Sequence, residues 1–453
     1  MNSSLAADFT YRYPYASNVG THERGFGLSL ATCGAQHEHP YFFDGLVEQP
    51  RFFGLTLLTL FDVVRTHFYL PRPVLLDPVV TSSESMLRFE GFSGCCGVYA
   101  RADFPPEAFQ SDLQHRGTTN VDFNPPMRSA LGRLRDNEDV RLSVGQDEVA
   151  LSRSDEKVVE KKVKLPMRWL KGFSEVQSYQ AGLQPKIEVS GSEARRFIRS
   201  LPQSGGPKRP SFATQTGKSL RLSQRENKDA VRIHGTHRVR VLEPLMVAAK
   251  GLRVWADDSG SSGWEMLFDK GRFFLLLSPE VYRGFSGEGQ VLEKLAVGNW
   301  ESALSSVQAQ LTWQSHIDTA GLSELTGWDQ ASVEAALAVL GSRGLAGFDV
   351  TSGAYFHRIL PFDLDQVDRL QPRLKNARKL LEKGGVKLLK EGKEGEADLA
   401  VRGTDVTHTV RLRPDLDRCS CPWFSKHQGE RGPCKHILAA KIFLERDKES
   451  GAA

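Results

Sequence analysis

The sequence CSCPWF at residues 419–424, followed by GPCKHILAA at residues 432–440, places four metal-binding side chains in two close pairs. Structural zinc sites take four cysteine or histidine ligands in a tetrahedron, at about 2.3 Å for sulfur and about 2.0–2.1 Å for nitrogen. Because side chains alternate along an extended segment, residues two apart can reach one ion from the same side. We therefore predict one structural zinc ion, held by Cys419, Cys421, Cys434 and His436, with no open position for a substrate.

The residues that flank the two pairs make the pattern more specific. Pro422 and Trp423 follow the first pair, and the apolar run ILAA at 437–440 follows the second. This arrangement resembles the SWIM-type zinc finger. The resemblance implies zinc on the same four ligands, a strand over residues 406–412 and a helix over residues 435–446. It also implies contacts with DNA or with a protein partner.

His427 and the three remaining cysteines are not among the four predicted ligands. His427 lies between the two pairs, and we interpret it as a solvated loop histidine and not as a ligand. Cys33, Cys95 and Cys96 lie far from the pairs, and we predict that all three are free thiols. A reduced zinc site together with free thiols is typical of a cytoplasmic protein, so we expect that location.

Length and composition limit the classes of protein. A chain of 453 residues exceeds the roughly 250–300 residues at which single cores stop growing, so several domains are expected. The net charge of +4 permits a nucleic-acid partner without requiring one. The longest apolar patch, residues 52–64, is interrupted by polar residues, and we expect no membrane span. The N-terminus has no basic-then-apolar start, so we expect no secretory signal.

Hydrophobic periodicity predicts an α+β fold in four parts. Residues 1–125 form an α+β N-terminal domain, and residues 126–290 form a strand-rich middle domain. A winged-helix-like module follows at residues 291–365, and a basic helix, strands and the SWIM-type zinc finger occupy residues 366–453. The predicted elements before residue 290 include helices at 52–64, 105–115, 167–173 and 193–200 (capped by Ser192), strands at 86–92, 96–102, 140–144, 148–152, 158–165 and 238–242, and a meander at 251–277.

Three short helices and a hairpin are predicted between residues 303 and 360. The helices cover 303–312, 319–327 and 330–343, with Asp329 as the cap of the third, and the hairpin joins 344–350 to 354–360. Helix, helix-turn-helix and hairpin in this order resemble a winged helix.

A winged helix that reads DNA would place its third helix in the major groove. The face that we expect to be exposed carries Gln330, Ser332, Glu334, Ala335 and Ala338. Of the residues on this helix, only Gln330 and the distal Arg343 suit DNA contacts, since Glu334 would repel phosphates. We therefore favour a structural or protein-contact role for the module over sequence-specific DNA reading.

The C-terminal end is the most basic part of the chain. A basic helix is predicted at 372–381, and strands at 386–389, 397–402 and 406–412 lead into the finger. Basic residues in such a region can contact a phosphate backbone, although a solvated surface is an equal alternative. The nucleic-acid-binding candidates are Arg411, Arg413, Arg418, Lys426, Arg431 and Lys435.

These observations predict a zinc-binding interaction protein whose partner is a protein, DNA or both. We recognise no catalytic residues and expect no enzymatic activity. Two alternatives stay open: an enzyme with an unrecognised site in residues 1–290, and a scaffold subunit of a larger complex. The sequence does not indicate the oligomeric state.

Overall fold

The computed structural model describes residues 18–22, 25–29, 41–68, 78–121, 123–153, 156–162, 165, 167–202, 210–285, 289, 292, 300–360, 372–392, 396–429 and 431–451. Helices and strands both contribute heavily, in several sheets, which confirms the α+β class. Cys33 lies outside the described residues, whereas Cys95 and Cys96 form no disulfide with a described residue, as predicted. None of the helices in these ranges is long and apolar enough to cross a lipid bilayer.

An eight-stranded antiparallel sheet is the largest element of the molecule. In spatial order its strands are β12 (Gln184–Ser190), β16 (Gly251–Ala256), β17 (Ser262–Phe268), β18 (Gly271–Leu277), β6 (Val98–Phe104), β5 (Met86–Phe92), β4 (Val79–Ser83) and β8 (Gly117–Asn120). The predicted hairpin near residues 86–102 and the predicted meander near 251–277 are both present, and β6 pairs with β18 to join them.

A five-stranded sheet and several helices complete the first half of the chain. In spatial order its strands are β11 (Glu156–Lys161), β10 (Glu148–Arg153), β9 (Val140–Gly145), β3 (Tyr41–Val47) and β7 (Phe109–Gln114). The helices are α1 (Pro50–Arg65), α2 (Pro125–Gly132), α3 (Met167–Gly182), α4 (Gly191–Ser200) and α5 (His237–Arg240). Two small sheets are β1 (Asn18–His22) with β2 (Gly25–Ser29), and β13 (Ser211–Thr216) with β14 (Ser219–Ser223) and β15 (Val231–Ile233).

Helix α1 packs on the apolar face of the large sheet. Phe53, Leu57, Leu60 and Val64 recur three or four residues apart and are all buried, as an amphipathic helix requires. The helix starts at Pro50, which is favoured at the first helical position because its missing N–H has no intrahelical acceptor there. One apolar cluster then runs from β3 to the end of β18.

The predicted boundary at residues 125/126 falls inside this sheet and this cluster. Strand β6 comes from the predicted N-terminal domain and β18 from the predicted middle domain, yet they are hydrogen-bonded neighbours. The two parts therefore share one core within the described residues. The correction has a simple cause: pairing between strands almost 170 residues apart leaves no local mark on the sequence.

Several local predictions also differ from the structure. Residues 105–115 form one short 3-10 turn and then β7, and not a helix. Residues 238–240 are helical and residues 241–242 form a turn, so no strand lies there. Helix α3 extends to Gly182, and the side chain that caps α4 belongs to Ser190 and not to Ser192.

The opposite face of the large sheet carries charged side chains that are buried beneath a hairpin from further along the chain. Strands β19 (Ala346–Asp349) and β20 (Ala354–His357) form this hairpin. Asp349 contacts Arg88, Arg101 and Arg272 of the sheet, with distances of 3.1 Å to Arg88 and 2.9 Å to Arg101. Asp103 contacts the same three arginines from the sheet side. The hairpin is thus attached to the sheet by a buried ionic network.

The order of three helices and a hairpin agrees with the prediction for residues 303–360. The helices are α6 (Trp300–Ala309), α7 (Thr319–Thr326) and α8 (Gln330–Ser342), and the side chain of Asp329 caps α8. The expected exposed face of α8 is only partly exposed, because Ser332 and Ala338 are buried. Helix α3 covers one side of α8, where Ser174 Oγ donates to the carbonyl of Ser342 at 2.8 Å.

The C-terminal module is a four-stranded antiparallel sheet backed by helices. The strands lie in the order β21 (Val386–Glu391), β22 (Ala397–Arg402), β23 (Thr407–Leu412) and β24 (Arg418–Cys419). The helices are α9 (Pro372–Glu382), α10 (Pro422–His427) and α11 (Lys435–Gly451). One apolar cluster includes α6, α8 and the C-terminal sheet, so the predicted boundary at 365/366 does not separate two cores.

Candidate metal centre

Three elements of the C-terminal module bring the four predicted zinc ligands together. Cys419 ends β24, and its side chain points to the inner face of the sheet because strand side chains alternate. Cys421 caps α10, where Phe424 N–H donates to its Sγ at 3.4 Å. Cys434 immediately precedes α11, and His436 lies in the first turn of that helix.

The ligand atoms of these four residues lie within 4.8 Å of one another. All four side chains are buried, and the exposed fraction of each residue is 5% or less. Cys419 Sγ lies 3.8 Å from Nδ1 of His436. A tetrahedral ion at ordinary zinc–ligand distances requires a separation of this size between its ligand atoms. Three sulfurs and one nitrogen in a closed, buried cluster fit a structural zinc ion.

Hydrogen bonding within the cluster favours thiolate at one of its cysteines. The hydrogen bond from Cys419 is the main reason that the pKa of the Cys434 thiol is lowered to about 4. Ile437 N–H also donates to Cys434 Sγ, at 3.5 Å. The pKa of Cys419 is raised, because this thiol donates to Cys434 and because it is buried. A bound zinc ion would replace that proton, since cysteine binds zinc as thiolate.

Two other histidines lie near the cluster. The ring of His408, on β23, packs against the ring of His436 with 4.4 Å between centroids. No local sequence pattern predicts this contact, because it depends on strand pairing. His427 lies in α10 and not in a loop, and it packs against Trp423 with 4.7 Å between ring centroids. Among the described residues, the four predicted ligands form the one cluster suited to a metal ion, and His427 is not part of it.

The candidate nucleic-acid residues are divided among four environments. Arg411 and Arg418 are exposed and stand directly opposite each other on β23 and β24. Arg413 is engaged within the protein: its guanidinium donates to Asp398 at 2.7 Å and to two backbone carbonyls. Lys426 lies in α10, and Arg431 follows that helix. Burial is the largest cause of the lowered pKa of His427, and Arg431 and Lys426 lower it further. Lys435, at the start of α11, is half-buried.

The outward side of the C-terminal sheet carries more exposed basic residues than any other surface of this module. Buried side chains of β22 and β23, such as Leu399 and Val410, point toward α11, so the alternate positions point outward. We define the outer face by its five exposed cations: Lys387, Lys390, Arg402, Arg411 and Arg418. None of the five forms an ion pair with a described side chain.

Comparisons with known proteins place the metal centre in a family. Residues 408–445 match the family model of the SWIM zinc finger, so this part of the chain carries that zinc finger with one structural zinc site. No curated protein matches the chain.

Solved structures give two similarities over about half of the chain. The first is to a PCNA2–PCNA3 complex from Sulfolobus tokodaii, with 11% identity, a TM-score of 0.40, and coverage of 52% of this chain and 99% of that chain. The second is to Proliferating Cellular Nuclear Antigen from Entamoeba histolytica, with 11% identity, a TM-score of 0.37, and coverage of 53% and 99%. At these TM-scores neither similarity supports a conclusion on fold or function.

Proposed function

We propose that the zinc-stabilised C-terminal module binds nucleic acid, and that its outer face contacts the phosphate backbone. The observation that carries the proposal is the concentration, on one side of one small sheet, of five exposed cations that form no ion pair with a described side chain. Zinc on the inner side supports this role indirectly, because it holds β24 and therefore Arg418 in place.

The arrangement of Arg411 and Arg418 favours a polyanionic partner. Like charges directly opposite each other on paired strands destabilise a sheet, so this pair lowers the stability of the protein alone. Asp398 is the strand neighbour of Arg411, but Arg413 already uses its carboxylate. A bound phosphate between the two arginines would relieve their repulsion and release counterions.

The composition of the outer face favours binding that is independent of sequence. Its uncharged positions include Ala400, Thr407 and Thr409, and no aromatic, asparagine or glutamine side chain lies among them. Proteins that bind single strands typically stack bases on aromatic rings, which this face lacks. Base reading in the major groove relies on arginine, asparagine or glutamine at base edges and is usually done by a helix, whereas this face presents its arginines from a sheet. The proposed ligand is therefore a duplex held by its backbone.

A protein partner is the second candidate, and two exposed apolar side chains favour it. Leu389 in β21 is 56% exposed, and Val406 beside β23 is 62% exposed. Exposed apolar side chains of this size are typical of contact surfaces when they form a patch. We rank this candidate second because the unpaired cations outnumber these two residues. In both cases we propose that the module binds a partner and does not catalyse a reaction.

Salt-dependent binding of the full chain tests the proposal. Fluorescence anisotropy with a labelled duplex, between about 50 and 200 mM salt, gives the slope of log affinity against log salt. Each phosphate contact contributes about 0.9 to that slope, so the five outer-face cations predict a slope near −4 to −5. The double variant Arg411→Gln, Arg418→Gln should reduce its magnitude by about 2.

A matched control variant loses the same two positive charges at a different place on the surface. The double variant Lys218→Gln, Arg225→Gln removes two exposed cations at the β13–β14 hairpin, outside the C-terminal module, and should leave the slope close to that of the unmodified chain. Equal zinc content in all three proteins confirms that the module is folded. Absence of duplex binding at low salt would refute the nucleic-acid proposal and favour a protein partner. An equal loss in both variants would refute the outer face as the contact surface.

A further inference from the structure

A cavity of about 830 Å³ lies at the N-terminal end of α1, among elements that are far from the zinc finger in sequence. The loop after α2 forms one wall, and the end of β10 forms another. Four arginines line it: Arg51, Arg133, Arg135 and Arg153. Two acidic residues, Asp136 and Glu138, also line it, so the lining has an excess of positive charge.

Two of the four guanidinium groups are already paired. Arg153 contacts Glu138 at 3.3 Å and Glu156 at 3.5 Å, and Arg133 contacts Glu156 at 2.6 Å. These pairs hold the wall of the cavity. Arg51 and Arg135 are exposed and form no ion pair with a described side chain, so their charge is available to a ligand.

The backbone at this end of α1 also attracts negative charge. The helix has no acidic residue in its first turn, and Gln49 provides no side-chain cap. Instead, the carboxylate of Asp136 accepts a hydrogen bond from Arg51 N–H at 3.1 Å. Partial positive charge at a helix N-terminus favours such an anion. An acidic side chain from a separate loop therefore already occupies one anion position in the cavity.

We propose that this cavity binds a ligand with two or more phosphate groups. Its volume is within the range of small-molecule sites. Arginine binds phosphate oxygens through two parallel hydrogen bonds, and two free guanidiniums suit two neighbouring phosphates. Leu134 is the one apolar side chain in the lining, and no aromatic ring is available to stack on a base. Recognition therefore depends on the phosphates, independently of the nucleic-acid surface proposed above.

Calorimetric titration of the full chain with inorganic pyrophosphate at low salt tests the site. Saturable binding of one pyrophosphate is expected. The double variant Arg51→Gln, Arg135→Gln should bind at least about tenfold more weakly, since it loses two charged donors. The control Lys218→Gln, Arg225→Gln removes the same charge from an exposed hairpin elsewhere and should bind like the unmodified chain.

A variant of Asp136 gives a prediction of the opposite sign. Asp136→Asn keeps an oxygen that can accept from Arg51 N–H, but it removes a negative charge from the cavity. Pyrophosphate should then bind more tightly, by about threefold. A general loss of folding cannot produce tighter binding, so this variant separates a binding role from a structural one.

Competition with a duplex identifies the source of the phosphates. If a duplex displaces pyrophosphate and the Arg51/Arg135 variant weakens duplex binding, nucleic acid supplies the phosphates. If the duplex does not compete, a free phosphate compound supplies them, and either result supports the site. The proposal is overturned if pyrophosphate does not bind, or if the Arg51/Arg135 variant and its control bind it equally well.

Discussion

Replacing Asp349 by asparagine should destabilise the protein strongly, because this buried carboxylate contacts three arginines, two of which (Arg88 and Arg101) are buried. Asp349 Oδ1 lies 2.9 Å from Arg101 Nη2, and its Oδ2 lies 3.1 Å from Arg88 Nη2 and also contacts Arg272. Burial alone would raise the pKa of Asp349, but the three guanidiniums outweigh burial and lower it. Asparagine preserves the shape and removes the charge, so no cavity forms.

The magnitude follows from the charges that would be left without a partner. Only 3% of the Asp349 side chain is exposed, so water cannot compensate for the missing carboxylate. Removing one member of a buried ion pair typically costs about 3–5 kcal/mol, and we expect a loss in that range. Asp103 would still contact the same arginines, which keeps the loss from being larger.

Urea unfolding followed by tryptophan fluorescence measures this loss. The control is Glu84→Gln, which removes an exposed partner of Arg116 and should cost at most about 1 kcal/mol. Hydrogen exchange should also become faster in β19 and β20, which the ionic network attaches to the sheet. A loss below about 1 kcal/mol for Asp349→Asn would refute the view that the network attaches the hairpin.

Three further predictions concern other parts of the chain. Burial lowers the pKa of His357 to about 4, so the unfolded chain binds a proton at a higher pH than the folded one, and stability should fall by about 3 kcal/mol at most between about pH 6.5 and about pH 4. In thermal unfolding at a series of pH values, His357→Asn should show a smaller fall. Arg238 is fully buried and donates only to carbonyl and hydroxyl oxygens, so Arg238→Met should cost about 2–4 kcal/mol in urea unfolding. Replacing Gln330 and Arg343 by alanine should leave duplex affinity within about twofold in anisotropy titrations, because most of α8 is buried against its neighbours; a much larger loss with an intact fold would show that α8 reads DNA.

The zinc ligands were predictable because their information is local. A one-residue spacer fixes which side chains can share an ion, and Pro422 and Lys435 lie at the helix starts that position them. Periodicity likewise predicted α8 and its cap at Asp329. The short helix α10 was not predicted, since six residues are too few to show a clear helical period.

Features that depend on distant pairing could not be predicted. Strands β6 and β18 form one sheet although they are far apart in the chain, so the predicted domain boundary failed. Arg413 and Arg411 look equivalent in sequence, yet only Arg413 is paired, with Asp398. Alternating valines near Arg238 resembled a strand, but local N–H to carbonyl bonds and the buried guanidinium favour a helical turn there.

Hydrogen exchange with and without a strong zinc chelator tests the central claim most directly. Binding of zinc contributes on the order of 10 kcal/mol to the folding of small zinc modules, so its removal should unfold the metal centre. We predict faster exchange in β22 to β24, in α10 and in the first turns of α11, with unchanged protection in β5, β6 and β16 to β18, which belong to a separate apolar cluster. Unchanged protection from β22 to α11 after the zinc has been removed would contradict the claim that zinc holds this module together.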